Sequence, residues 1–237
     1  MWSMASLAAT DTAQLPPSPR DANRRRRDLL ELILGYALIL LVLWTPRPWQ
    51  KWFYWVAATF LIAVLLLSFR GFQSMGLRTA NLARSLWIVG AALLLCAAAV
   101  AIAASAGTLQ HNGGFIPFFK RYWGYALWAS AQQLLLQDFF LARLLRLIPR
   151  PHTAALAAAA MFSFAHLPSP ILTSITFVWG WLACLLFLHY RNLYPLALTH
   201  AILGITIAVT LPGPVTRNMR VGLGYLTYAH RGPHRIH

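Results

Sequence analysis

The feature that most constrains this chain is a succession of apolar runs comparable in length to the hydrocarbon core of a bilayer. A helix rises about 1.5 Å per residue, so about 20 residues cross a layer about 30 Å thick. Three such runs are clear, from Leu29 to Trp44, from Trp52 to Phe69 and from Leu82 to Ser105. They predict an all-α fold, a polytopic bundle of transmembrane helices.

Four further helices are predicted after the third run, from Tyr122 to about Leu147, Thr153 to His166, Ile171 to His189 and Leu193 to Leu211. The total is therefore about seven helices, with six to eight as the range. The fifth helix is short and is followed at once by prolines, which cannot continue a helix. We expect that it need not span the membrane fully.

Composition supports the bilayer as the solvent, because 59% of the residues are hydrophobic and only 11% are charged. The net charge of +15 raises the question of nucleic acid. Most arginines, however, lie in short loops and in the two tails, where they can meet lipid headgroups and set orientation. We expect the lipid bilayer as the partner, and no nucleic acid.

The same pattern divides the chain into three parts. Residues 1–28 predict a disordered, basic cytosolic tail, residues 29–211 a single transmembrane domain, and residues 212–237 a second basic tail rich in Gly, Arg and His. The motif-bearing core covers residues 122–211. Counting Lys and Arg on each side of the membrane modestly favours a cytosolic N-terminus.

Polar side chains inside the predicted spans are few, and such residues often face the bundle interior and mark function. On the fourth helix Gln133 and Gln137 fall on one face, with Gln132 beside them. Each could equally serve as an interhelical hydrogen-bond partner. The fourth helix therefore directs amides into the bundle.

Asp138 is the only acidic residue after Glu31. It is either a catalytic carboxylate or the partner of Arg143 or Arg146 in a structural ion pair. His166 ends the fifth helix and His200 lies within the seventh, so two histidines also belong to the predicted membrane domain.

The order of these sites resembles the CPBP family of intramembrane endopeptidases, which includes the CAAX prenyl endopeptidases and bacterial Abi-type proteins. The family pattern is Glu-Glu-x-x-x-Arg, then Phe-x-x-x-His, then His-x-x-x-Asn or Asp. One residue from each motif, Gln132, His166 and His200, follows the previous one after 34 positions. The corresponding residues are Gln132, Gln133 and Gln137, then Phe162 and His166, then His200 and Gly204.

The resemblance implies a hydrolase in which a glutamate and a histidine activate water, while a second histidine and an asparagine stabilise the oxyanion. Gln132 stands in the place of the base glutamate, and an amide does not accept a proton at neutral pH. Gln133 and Gln137 replace the second Glu and the Arg, so a charged set has become a neutral one. Gly204 replaces the Asn. We also expect the protein to lie in the bacterial inner membrane.

Two arrangements could restore the missing chemistry. In a shifted register Asp138 would be the base and Arg143 its electrostatic partner, although a shift of five residues rotates a helical side chain by about 140°. Alternatively, His166, His200 and Asp138 could hold a divalent metal such as zinc with an open water position, as in a metalloendopeptidase. The pattern lacks a spacing typical of such sites.

Three functions follow from these residues. The first is a CPBP-like endopeptidase that hydrolyses a peptide or prenylated peptide at the membrane with a remodelled Gln/His site. The second is an inactive relative that keeps the cavity to bind a lipid, a prenyl group or a partner helix. The third is an enzyme that acts on a lipid or isoprenoid substrate. The family resemblance favours an enzyme, whereas the replacement of the base glutamate by Gln132 favours a binding protein.

Overall fold

The computed structural model describes residues 19–110 and 114–228. Most of the first predicted tail and the last nine residues of the second lie outside the described residues. Every regular element in the described ranges is helical. The elements are α1 (Pro19–Trp44), α2 (Gln50–Leu67), α3 (Leu82–Ser105), α4 (Phe115–Leu134), a π-helical segment (Leu135–Leu141), α5 (Ala142–Leu147), α6 (Pro151–Phe164), α7 (Pro170–Tyr190), α8 (Leu193–Thr210), α9 (Gly213–Thr216) and α10 (Leu223–Leu226).

The predicted helical membrane bundle is confirmed. Helices α2, α3, α7 and α8 are long and apolar enough to cross a membrane. Many large apolar side chains on the outside of the bundle are exposed, for example Leu66, Leu94 and Trp55. Apolar surface on this scale is characteristic of a protein that faces lipid. The seven predicted helices correspond to α1, α2, α3, the composite of α4 with the π segment and α5, α6, α7 and α8.

The fifth predicted helix, α6, is indeed short. Its 14 residues correspond to about 21 Å of helix, less than the hydrocarbon thickness. It is composed largely of alanine, and its Ala154, Ala155, Ala158 and Ala159 are fully buried. Such small residues allow the close approach of α6 to α7, against which it packs.

Helix α1 begins earlier than predicted, at Pro19 rather than at Leu29. The basic segment from Arg24 to Arg27 is therefore helical, whereas the sequence predicted it as part of a disordered tail. The reason is a contact that is distant in sequence. Asp28 is 4% exposed, and its carboxylate accepts hydrogen bonds of 2.6 and 2.7 Å from the guanidinium of Arg146.

Helix α8 lies at the centre of the site, because it packs against both α3 and α4. Its first turn is capped by Asn192, whose side chain accepts a hydrogen bond from the backbone amide of Tyr194. The π segment, which directly follows α4, is almost wholly buried, with Leu136, Phe139 and Leu141 at 0% exposure. A π turn widens the helix and often occurs at functional sites.

Candidate functional site

The site begins with a chain of amides between α4 and α8. Gln137 Nε2 donates to Gln133 Oε1 at 3.3 Å, which confirms that these two residues share a face. Gln133 Nε2 lies 3.1 Å from His200 Nδ1. All three side chains are buried. The polar groups of α4 therefore reach the histidine of α8 through one continuous hydrogen-bonded relay.

The hydrogen bonds of Gln133 assign a tautomer to His200. Because Gln133 uses its oxygen to accept from Gln137, it presents its NH₂ group to the imidazole. With the Gln133 amide in this orientation, His200 Nδ1 accepts the hydrogen bond, and the proton of the neutral ring is assigned to Nε2. His200 is thereby held as a hydrogen-bond donor at Nε2.

His166 has the opposite arrangement. It lies just beyond α6, and its Nδ1 is 2.8 Å from the backbone carbonyl oxygen of Phe162. A carbonyl oxygen can only accept, so Nδ1 carries the proton and Nε2 of the neutral ring keeps its lone pair. The Phe162 ring contacts both imidazoles, with centroid distances of 5.0 Å to His166 and 5.7 Å to His200. The two histidines thus present a base and a donor next to one phenyl ring.

An apolar cavity of about 430 Å³ adjoins this site. Its wall is formed by α1, α2, α4, the π segment and α6, and both Gln132 and His166 line it. Gln132 makes no side-chain hydrogen bond within the described residues, so its amide is free at the cavity wall. Phe162 also lines the cavity and contacts His200, whereas Gln133 and His200 are not among the described residues that line it. A volume of this size is typical of small-molecule and cofactor pockets.

Gly204, where the family motif has Asn or Asp, is not an empty position. A Cβ atom added to Gly204 would collide with the hydroxyl group of Tyr125 on α4. The Tyr125 hydroxyl therefore occupies the space that a longer side chain at 204 would fill. Gly204 is one helical turn after His200, so the Tyr125 hydroxyl lies against the same face of α8 as the His200 side chain.

Asp138 lies apart from the histidines. It lines a second, polar pocket rather than the apolar cavity. Arg143 contacts it only through the backbone carbonyl, at 3.3 Å, and directs its Nε to Glu31 Oε2 at 2.8 Å. Arg146 pairs with Asp28. The alternative ion pair between Asp138 and Arg143 or Arg146 is therefore not formed, and neither is the shifted-register site.

The predicted metal ligands are likewise not brought together. Among the described residues no group of three His, Cys, Asp or Glu side chains is placed to hold a metal ion. His166 faces the apolar cavity while Asp138 faces the polar pocket on the other side of the π segment. His166, His200 and Asp138 do not form a metal site in this arrangement.

Fold and site together define a polytopic helical membrane protein with a neutral polar site at the wall of an apolar cavity. A family model described as type II CAAX prenyl endopeptidase Rce1-like matches residues 121–206. This range contains all three motif positions, so the similarity to the CPBP family is confirmed over the motif-bearing core. No curated protein sequence and no solved structure matched the chain.

Sequence reasoning overlooked Tyr125. A signal was present, because Tyr125 precedes Gln132 by seven residues and helical periodicity puts residues seven apart on one face. Its meeting with Gly204 could not be foreseen, since that contact joins two helices far apart in the chain. Tyr36 and Tyr54 line the cavity and were also missed, because their position there depends on how α1 and α2 pack against the other helices.

Proposed function

We propose that the chain is an intramembrane endopeptidase related to the CAAX prenyl endopeptidases, with a site that works without a carboxylate base. The observation that carries the proposal is the complementary state of the two motif histidines. His166 offers a lone pair at Nε2, and His200 offers an N–H at Nε2. Hydrolysis of an amide needs both, a proton acceptor for water and a donor for the oxyanion.

In the proposed reaction, His166 Nε2 removes a proton from water as the water oxygen attacks the carbonyl carbon of the peptide. The carbonyl electron pair moves onto oxygen, and His200 Nε2–H and the Tyr125 hydroxyl donate hydrogen bonds to that oxyanion. When the oxyanion collapses and the C–N bond breaks, the proton on His166 passes to the leaving nitrogen. The products are a carboxylic acid and an amine, which exchange a proton with solvent. Gln132 orients the water with its amide.

The cavity suggests the substrate class. Its wall is almost entirely apolar, formed by residues such as Ile39, Leu61 and Phe140, and it opens on His166 and Gln132. A prenyl chain or a comparably apolar segment attached to a peptide would occupy it and bring a peptide bond to His166. His200 does not line the cavity, so the Phe162 ring that contacts it would have to rotate for His200 to reach the oxyanion. The printed description of the matching family, a prenyl endopeptidase, agrees with such an occupant.

A second function is favoured by one observation. Within residues 19–110 and 114–228 no carboxylate lines the apolar cavity, and the polar lining residue in the position of the base is Gln132, an amide. A non-proteolytic relative that binds a lipid, a prenyl group or a partner helix would keep the same cavity. An enzyme acting on an isoprenoid lipid would use it too.

The test is incubation of the purified protein with a prenylated peptide that ends in a CAAX sequence, with mass spectrometry of the products. The proposal expects cleavage by the natural sequence and less cleavage of the unprenylated peptide. Gln132→Glu supplies a carboxylate base, and if only this variant cleaves the peptide, the chain is a binding protein that has lost its base. Turnover of the prenyl lipid itself, with the peptide left intact, would favour the third function.

A further inference from the structure

The second pocket, of about 560 Å³, lies on the opposite side of the π segment from the apolar cavity. It is bordered by α1, the α2–α3 loop, the π segment with α5, and the residue that follows α7. Its lining includes three carboxylates, of Asp28, Glu31 and Asp138. It also includes six guanidinium groups, those of Arg24, Arg27, Arg70, Arg143, Arg146 and Arg191.

Two of the three carboxylates, those of Asp28 and Glu31, form ion pairs with particular arginines. Glu31 accepts from Arg27 at 2.7 Å and from Arg143 at 2.8 Å, and it therefore serves two positive charges. Asp28 binds Arg146 through both oxygens. The remaining carboxylate, Asp138, experiences the positive charge of Arg191.

Two arginines are left over. Arg24 and Arg70 make no ion pair or side-chain hydrogen bond within the described residues, and both are exposed at the pocket. With six guanidinium groups against three carboxylates, the pocket is positive by three charges when every group is ionised. A concave site lined by one excess sign attracts the opposite charge.

The pocket also lies at the ends of two helices that are able to span the membrane. Ser68 and Arg70 follow directly on α2, and Arg191 follows α7, two of the helices able to span the membrane. Beside the arginines stand the apolar side chains of Leu67, 76% exposed, and Phe69, 43% exposed. The pocket therefore combines unpaired positive charge with apolar surface at the membrane boundary.

We propose that this pocket binds a phosphate ester, with Arg24 and Arg70 as its unpaired ligands. Guanidinium groups match phosphate oxygens in charge and in planar, two-pronged geometry. The neighbouring apolar side chains indicate that the phosphate belongs to the headgroup of an anionic phospholipid rather than to a free anion in solution. The site is separate from the histidines and does not depend on the proposed peptidase function.

The experiment titrates fluorescently labelled phosphatidylglycerol into the purified, delipidated full chain in an uncharged detergent. The double variant Arg24→Gln/Arg70→Gln removes the unpaired ligands. The control Arg150→Gln/Arg220→Gln removes the same charge from exposed arginines outside the pocket. Thermal unfolding checks that both variants are folded.

The expected result is a Kd at least tenfold weaker in the pocket variant and within twofold of the natural value in the control. Inorganic phosphate then distinguishes the sources. Displacement of the lipid by millimolar phosphate would identify a general phosphate site, and no displacement would identify a headgroup site that needs the acyl chains. Equal weakening in both double variants, or unchanged binding in the pocket variant, would overturn the proposal.

Discussion

The replacement of Glu by Gln at position 133 changes which atoms donate. A carboxylate only accepts hydrogen bonds, whereas an amide both donates and accepts. Gln133 can therefore accept from Gln137 and donate to His200 at the same time. Gln132, Gln133 and Gln137 each remove a charge relative to the family motif, so the face that they form on α4 is neutral. The i, i+4 spacing of Gln133 and Gln137 made their contact predictable, while the link to His200 required the α4–α8 packing.

The relay predicts the tautomer of His200. In ¹⁵N-labelled protein, the NMR shifts of His200 should report a proton on Nε2 and none on Nδ1. Gln133→Met keeps the length of the side chain but removes the donor to Nδ1, so the ring should become a mixture of tautomers. Gln132→Met is the matched control, because Gln132 does not contact His200. An unchanged His200 spectrum in Gln133→Met would contradict the relay.

Tyr125 is predicted to act on turnover rather than on binding. If its hydroxyl donates to the oxyanion, Tyr125→Phe should lower kcat by about 10²-fold with little change in KM, as for other single oxyanion donors. The steady-state kinetics of the prenylated-peptide assay measure both constants. Tyr225→Phe, in α10, serves as the control for a lost hydroxyl. A Tyr125→Phe enzyme with natural kcat would remove this residue from the mechanism.

Among the elements, the π segment is the one that the sequence least foretold. Periodicity continued α4 to Leu147 as one regular helix, but the structure widens it over Leu135–Leu141. Arg143 stabilises the return to α-helix, since its Nη1 donates to the carbonyl oxygens of Asp138 and Phe139 at 3.3 and 3.1 Å. Its Nε binds Glu31 of α1. A sequence shows which charges exist, but the pairing across α1 and α5 depends on how the helices meet.

This contact predicts a large difference between two arginines that share Glu31. Arg143 is 1% exposed and Arg27 is 60% exposed. Arg143→Ala leaves the mostly buried Glu31 carboxylate without its inner partner, so it should lower the free energy of unfolding by about 3–5 kcal/mol. Arg27→Ala should cost no more than about 1 kcal/mol. Denaturation in mixed micelles measures both, and equal losses would show that the inner pair has no special role.

At the scale of the whole molecule, the apolar runs determined most of what could be foreseen. The all-α membrane bundle, the short α6 and the order of the motifs all followed from sequence, because length and hydropathy are local properties. The division of polar groups between two pockets did not. Gln137 and Asp138 both line the charged pocket, whereas Gln132, five residues before Gln137, lines the cavity of His166. Such a division depends on the helix register and on packing.

The fold also predicts the sidedness of the loops. Helix α3 has 24 residues, about 36 Å of helix, and should carry the chain from one side of the membrane to the other. With Cys96 and Cys184 replaced by Ala, an impermeant maleimide added to intact bacterial cells should label Ala106→Cys. It should not label Gln73→Cys until the cells are opened. Labelling of both in intact cells would refute the crossing, and the reverse pattern would refute a cytosolic N-terminus.

In the proposed mechanism His166 activates water for peptide hydrolysis without a carboxylate base. The most direct measurement is cleavage of the prenylated peptide in H₂¹⁸O, followed by mass spectrometry of the new C-terminus. We predict incorporation of one ¹⁸O atom by the natural sequence, at least a 10²-fold loss of rate in His166→Ala, and a natural rate in His152→Ala, which changes an exposed histidine in the first turn of α6. A natural rate in a folded His166→Ala variant would contradict it.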